Sequence, residues 1–299
     1  MTALDSPSDV AAALERLDYL ADDGLAIVVF LAMRMQRPLF LEGEAGVGKT
    51  ELAKTLAAAT GGELIRLQCH EGIDASQALY EWDYSRQLLH LRTAEVARGD
   101  VEADALENEL YSERFLVKRP VLQAITGSDE HPPVLLIDEI DRADDEFEAF
   151  LLEVLSDYSV TIPELGTYAA TTPPLVVITS NRTRDVHDAL KRRCLYHWVE
   201  HPGFEREVAI IGRRVSGASP ELARQVAAAT GEMRRQGLYK PPGVAESIDW
   251  ANALTQLGRT DLDEASVRAT LGSVLKYRED QERVANTGLE DLLSAIGAA

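Results

Sequence analysis

The octapeptide Gly43-Glu44-Ala45-Gly46-Val47-Gly48-Lys49-Thr50 is suited to grip a chain of phosphates, because it follows the pattern G-x-x-x-x-G-K-[ST]. Gly43, Gly46 and Gly48 let the backbone curl so that its N–H groups face phosphate oxygens. A helix opening near Lys49 adds the positive end of its dipole. Lys49 is placed to reach the β- and γ-phosphates, and the Thr50 hydroxyl to ligate Mg²⁺; Glu51 ends the binding stretch. The predicted ligands are ATP and Mg²⁺.

Three further groups suit the hydrolysis of such a ligand. VLLIDEI, residues 134–140, is a buried strand that ends in acids. In an open α/β sheet, ligands sit at the C-terminal ends of strands. Asp138 is predicted to hold Mg²⁺, directly or through water, and Glu139 to orient the attacking water or take its proton. Asp141 reads equally as a site residue and as a surface residue. VVITSN, residues 176–181, ends in Asn181, whose amide suits a hydrogen bond to the γ-phosphate or the water. Asn is also a common turn residue. Finally, Lys191, Arg192 and Arg193 form a basic run in a chain with 50 acidic and 30 basic residues. Two readings of the arginine pair stand. It stabilises charge on the γ-phosphate of a neighbouring subunit, which implies a closed head-to-tail ring; or it offsets a helix dipole and pairs with local acids.

These groups need a scaffold that brings strand ends together. Residues 8–35 read as helical, with a break near Asp22-Asp23-Gly24. Strands are predicted at 38–41, 63–68, 133–140, 172–181 and 194–200, with helices over 51–60 and 145–157 between them. That alternation predicts a parallel five-stranded α/β sheet flanked by helices, a P-loop NTPase fold. Within 71–130, Tyr80, Trp82 and Tyr84 recur at period two and suggest a β-ribbon, followed by an acidic helix or loop, RGDVEADALENEL. Beyond Gly203 the pattern is all helical: Ser219-Pro220 opens one helix, Pro241-Pro242-Gly243 separates two, and Asp261 with Glu264 resembles a capping box. The predicted domains are 1–202, with an insert at about 71–130, and a helical lid over 203–299.

The net charge of −20 argues against a protein that coats duplex nucleic acid. Cys69 and Cys194 have no metal-ligand spacing and read as reduced thiols. The longest apolar run, Leu25 to Met33, is too short to span a bilayer. The cytoplasm is the default location, with no membrane role expected.

In their order, GEAGVGKT, LLIDEIDRA, VVITSN and LKRR resemble the AAA+ ATPases, and within them the MoxR group. LQCHEGIDASQALYEWDYSRQLL, RFLVKRPVLQAI, VTIPELGT and HDALKRRCLYHW are similar to its CoxD-like branch, linked to maturation of molybdenum-containing carbon monoxide dehydrogenases and related hydroxylases. The resemblance implies a hexameric ATPase that remodels a client metalloenzyme beside a partner with a von Willebrand factor A domain. It gives Lys49 and Thr50 the Walker A roles, Asp138 and Glu139 Walker B, Asn181 sensor 1, and Arg192 or Arg193 the arginine finger. KPPGVAESIDW, where the family places a sensor 2 arginine, has none, and Lys240 is the only substitute there. Where protein-threading rings carry an aromatic–hydrophobic–glycine loop, this chain has HEGIDASQALYEWDY; Tyr80, Trp82 and Tyr84 read either as grips on a client or as packing of the ribbon, and local remodelling is expected.

The leading reading is therefore an ATP-driven remodelling chaperone. A nucleic-acid motor or loader is the alternative, with Lys118 and Arg119 the best basic candidates for its pore. A nucleotide-gated binding module with little turnover is a third reading, against which Glu139 and the arginines speak.

Overall fold

A computed structural model describes residues 4–98 and 109–299. Most of the predicted acidic stretch after Arg98 lies outside the described residues. The first helices are α1 (Pro7–Glu15) and α2 (Asp23–Met35). The break between them falls earlier than expected, because Asp22 accepts the Leu25 amide at 2.7 Å and thereby caps α2. Asp23 and Gly24 are helical.

Next come β1 (Leu39–Glu42), α3 (Lys49–Thr60), β2 (Leu64–Gln68), the short α4 (Ala75–Ala78), β3 (Tyr80–Trp82) and α5 (Tyr84–Arg98). They are followed by β4 (Leu116–Lys118), α6 (Pro120–Ile125), β5 (Val134–Asp138), α7 (Asp145–Asp157), β6 (Ser159–Ile162), β7 (Gly166–Ala169), β8 (Leu175–Ser180), α8 (Asp188–Arg193) and β9 (Leu195–Trp198). The predicted ribbon exists but is short: β3 pairs antiparallel with β4 over three residues. Tyr84 is not part of it. Asp83 accepts the Arg86 amide at 2.9 Å, which starts a helix where period-two alternation predicted more strand. Trp82 packs into the core, whereas Tyr84 is 70% exposed. The β6–β7 hairpin was not anticipated; Pro163 interrupts its apolar alternation.

The five remaining strands form one parallel sheet in the order β2-β5-β8-β1-β9. β1, β5 and β8 are central and almost wholly buried, which explains why they read as continuous apolar runs. β2 lies at an edge and alternates buried with exposed residues. Register aligns Glu42 with Ser180 and Ile137 with Ile178, so the C-terminal ends of these strands finish level with one another.

The chain divides into two compact units. The first holds residues 1–7, 27–42 and 53–197, including the sheet and a core built on Phe40, Leu135, Ile137, Phe147 and Ile178. The second holds 8–26, 43–52 and 198–299. Its C-terminal part is helical throughout: α9 (Phe204–Arg214), α10 (Pro220–Arg235), α11 (Val244–Gln256), α12 (Glu264–Val274), α13 (Arg278–Arg283) and α14 (Leu289–Gly297). Ile211, Val226, Trp250, Leu271 and Leu292 form its core. Ser219 caps α10 with Pro220 at the first position, as predicted. Asp263, not Asp261, caps α12, by accepting the Ser266 amide at 2.7 Å.

Candidate functional site

The phosphate loop begins one residue after β1 ends and runs directly into α3. It belongs to the second unit, and the C-terminal helices of that unit support it. Gly46 and Gly48 have φ of +79° and +97°, a region that glycine enters without a Cβ clash. A Cβ on Gly43 would lie 2.4 Å from the Val199 carbonyl oxygen, so only glycine fits there. The Ala245 amide donates to the Gly46 carbonyl at 3.1 Å, which ties the first turn of α11 to the loop. Glu246, in that same turn, accepts the Gly243 amide at 2.9 Å. Thus KPPGVAESIDW brings to the loop one main-chain hydrogen bond and the close approach of Gly243 to Ala45 and Gly46. Lys240, the first residue of that stretch, is exposed, and its own amide donates to Asp280.

Lys49 is buried, and its ammonium donates to the carbonyls of Gly43 and Glu44 at 2.7 and 2.6 Å. A curled loop, a lysine folded over it and a helix N-terminus together fit a polyphosphate. Around the loop, His201 lies 3.1 Å from the Glu44 carboxylate and Arg214 lies 2.8 Å from Glu51. Tyr19 is half-buried near Gly48, and loss of water around its hydroxyl, then the charge of Asp22, pushes its pKa up. Ala45, Val47 and Thr50 complete the loop; Val47 is buried.

The acids lie in the first unit, at the C-terminal end of the sheet. Asp138 is buried; it accepts the Thr179 hydroxyl at 2.5 Å and the Arg66 guanidinium at 2.6 Å. Glu139 adopts left-handed backbone, φ 56°, which turns its carboxylate toward other partners. Its amide donates to Thr179. Its carboxylate accepts Asn181 Nδ2 at 3.3 Å and Gln68 Nε2 at 3.0 Å, with Arg142 3.3 Å away. Asp138, Glu139 and Asn181 are therefore brought together. Asp141 is a buried positioning residue: it accepts the amides of Asn181 and Thr183 at 3.2 and 2.9 Å and the Thr183 hydroxyl at 2.7 Å.

Gln68 and Arg66 were missed as site residues. Their signal was present, since ELIRLQ places two polar residues two apart at the end of a strand, hence on one face. Cys69 follows them; burial, then the nearby Asp138, Asp141 and Glu139, push its thiol up to about 12.

Arg192 and Arg193 end α8 and are exposed, with Asp188 4.0 Å from Arg192. Among the described residues, no hydrogen bond joins either side chain to Asp138, Glu139 or Asn181. Metal-binding chemistry is also limited: among the described residues no cluster of three or more His, Cys, Asp or Glu could cage an ion. Asp138, in the first unit, offers a carboxylate and Thr50, in the second, a hydroxyl; each is a hard oxygen donor of the kind Mg²⁺ takes. No helix among the described residues is long and apolar enough to cross a membrane.

The sequence profile of the AAA domain, dynein-related subfamily, matches residues 38–194, more than half of the 299-residue chain. No curated protein matches the chain. Among solved structures, the fold is similar to a putative ATPase from Cytophaga hutchinsonii at 14% identity, covering 98% of this chain and 93% of that one, with a TM-score of 0.45. It is also similar to the RuvB Holliday junction branch migration motor of Thermotoga maritima at 14% identity, covering 98% and 85%, with a TM-score of 0.48.

Proposed function

Because the chain belongs to the dynein-related subfamily of AAA domain proteins, we propose that it is an ATP-driven remodelling chaperone whose hydrolytic centre is completed by a neighbouring subunit. The observation that carries this reading is the placement of Glu139, held by Asn181 and Gln68 beside the buried Asp138. The carboxylate is held by two side-chain amides and by Arg142, in hydrogen bonds that it can exchange for a water.

Each residue then has a role. The loop from Gly43 to Glu51 binds ATP, with Lys49 exchanging the carbonyls of Gly43 and Glu44 for phosphate oxygens. Thr50 and Asp138 would hold Mg²⁺, which when bound would neutralise charge on the phosphates. Glu139 orients a water, takes one of its protons as oxygen attacks the γ-phosphorus, and the bond to the β–γ bridging oxygen breaks. Asn181 holds Glu139 and the water. Arg192 or Arg193 of an adjacent copy stabilises the charge that develops. The domain division at residue 202, with 203–299 as the moving lid, belongs to the same proposal.

The motifs quoted above support a MoxR-type protein of the CoxD-like branch in the cytoplasm. It would assemble as a hexamer and act with a von Willebrand factor A domain partner on a metalloenzyme client, a molybdenum hydroxylase such as carbon monoxide dehydrogenase. The two cations that the nucleic-acid alternative would use are engaged within the chain: Arg119 pairs with Glu81 at 2.6 Å, and Lys118 lies over the Tyr168 ring and donates to Thr126.

The test is steady-state hydrolysis alongside nucleotide binding. Glu139→Gln is expected to keep ATP affinity and lose at least about 100-fold in turnover; Lys49→Ala is expected to lose binding. Wild-type turnover in Glu139→Gln would overturn the reading. Salt-dependent retention on single-stranded DNA would favour the motor instead.

A further inference from the structure

A third arginine bears on the reading in which Arg192 and Arg193 offset a helix dipole. A helix C-terminus leaves carbonyls without intrahelical partners and welcomes a cation. In α8 that cation is Arg37, from the link between α2 and β1. Arg37 Nη2 donates to the Arg192 carbonyl at 2.7 Å and to the Cys194 carbonyl at 3.3 Å, and Nε donates to the Arg193 carbonyl at 3.0 Å. The helix end is thus satisfied without the side chains of Arg192 and Arg193. Arg192 remains 82% exposed.

A second tie lies at the other end of β1. Glu42, buried at the last position of the strand, accepts the Tyr196 hydroxyl at 2.8 Å and pairs with Lys191 at 3.4 Å. Lys191 also lies over the Phe40 ring, and Tyr196 stacks on that ring. The Leu195 amide donates to the Pro38 carbonyl. The turn that bears the arginines is therefore fastened to both ends of β1, the strand that runs into the phosphate loop.

We propose that Arg37 and Glu42 are positioning residues that hold the arginine pair in its presenting geometry for the next subunit. A flexible arginine would pay side-chain and backbone ordering at each turnover; a turn fixed at both ends does not. The inference rests on the proposed action of the pair in trans.

The experiment mixes two subunits, each inactive alone. The donor carries Glu139→Gln and keeps its arginines; the acceptor carries Arg192→Ala with Arg193→Ala and keeps its own site. The mixture is expected to hydrolyse ATP. Adding Arg37→Met to the donor is expected to cut that rescue by at least about ten-fold. Adding it to the acceptor, which has no arginines to present, is expected to change nothing. A merely structural role would damage both sides. Arg37→Lys in the donor should restore part of the rescue, and Glu42→Gln in the donor should lower it about three-fold; these decide the matter if Arg37→Met fails to fold. Equal rescue by every donor, or equal damage from either side, overturns the inference and leaves the trans reading intact. No turnover in the unmodified mixture overturns the trans reading itself.

Discussion

The phosphate loop and the acid cluster are held by opposite means. The loop is shaped by main chain against main chain: Gly43 against the Val199 carbonyl, Gly46 bonded to the Ala245 amide, Gly243 close to both Ala45 and Gly46. The cluster is held by side chain against side chain: Arg66 and Thr179 on Asp138, Gln68 and Asn181 on Glu139, Thr183 on Asp141. A main-chain fit has no room for an added atom, whereas a side-chain network has no slack for a lost one. The first suits a site that must cradle the same phosphates every time. The second suits groups that exchange partners, since each hydrogen bond contributes only about 1 kcal/mol net.

The largest expected break lies in the network. Asp141→Ala removes the acceptor for the Asn181 amide, the Thr183 amide and the Thr183 hydroxyl. Leaving three part-buried donors without their acceptor should cost about 2 kcal/mol. Urea unfolding should show that loss, and turnover should fall by at least about ten-fold as Asn181 leaves Glu139. Nucleotide affinity should hold within about three-fold, since no loop contact is touched. Unchanged turnover would mean that the network does not orient Glu139.

The converse break adds one methyl. Gly243→Ala places a Cβ 2.6 Å from the Ala45 carbonyl oxygen and 2.8 Å from Gly46 Cα. Backbone at that distance has to move, at about 2 kcal/mol. Because the φ of Gly243 is −80°, alanine meets no dihedral strain, and the effect isolates the contact. Nucleotide affinity should weaken about ten-fold, with turnover at saturation nearly unchanged. Isothermal titration against steady-state kinetics checks it; an unaffected affinity would show that the first turn of α11 does not shape the loop.

The same contrast explains what the sequence revealed. Main-chain shape demands glycine at fixed intervals, so the loop appeared as a motif in eight adjacent residues. The central strands were legible for a related reason, since burial on both faces leaves only apolar residues. Side-chain networks assemble from distant segments: Gln68 meets Glu139 across 71 positions, and Arg37 meets Arg193 across 156. No local pattern records such pairs. The misread pieces failed where one polar residue outvoted a periodicity. Asp83 ended the expected ribbon after Trp82 and started α5, and Asp22 moved the start of α2.

The smallest expected effect concerns two thiols in the first unit. Cys69, behind the acid cluster, and Cys194, behind the arginine turn, both have pKa values raised from 9.0 to about 12, in each case chiefly by burial. The acids raise Cys69 further, whereas the Arg37 charge lowers Cys194. A thiol that titrates near 9 unfolded and near 12 folded binds more protons in the folded state between those values. Its contribution is therefore complete below about 9 and is lost as pH rises toward 12. Thermal midpoints should be flat up to about 9 and decline above it, and Cys69→Ser with Cys194→Ser should flatten the decline. Below that range a disulfide reagent should label neither thiol in the native protein. Arg37→Met removes the one charge that lowers Cys194, so its thiol should become still less reactive while that of Cys69 stays the same. If Cys194 instead became the faster of the two to label, the turn would have opened, and the fastening by Arg37 would be a matter of access to the core as much as of charge.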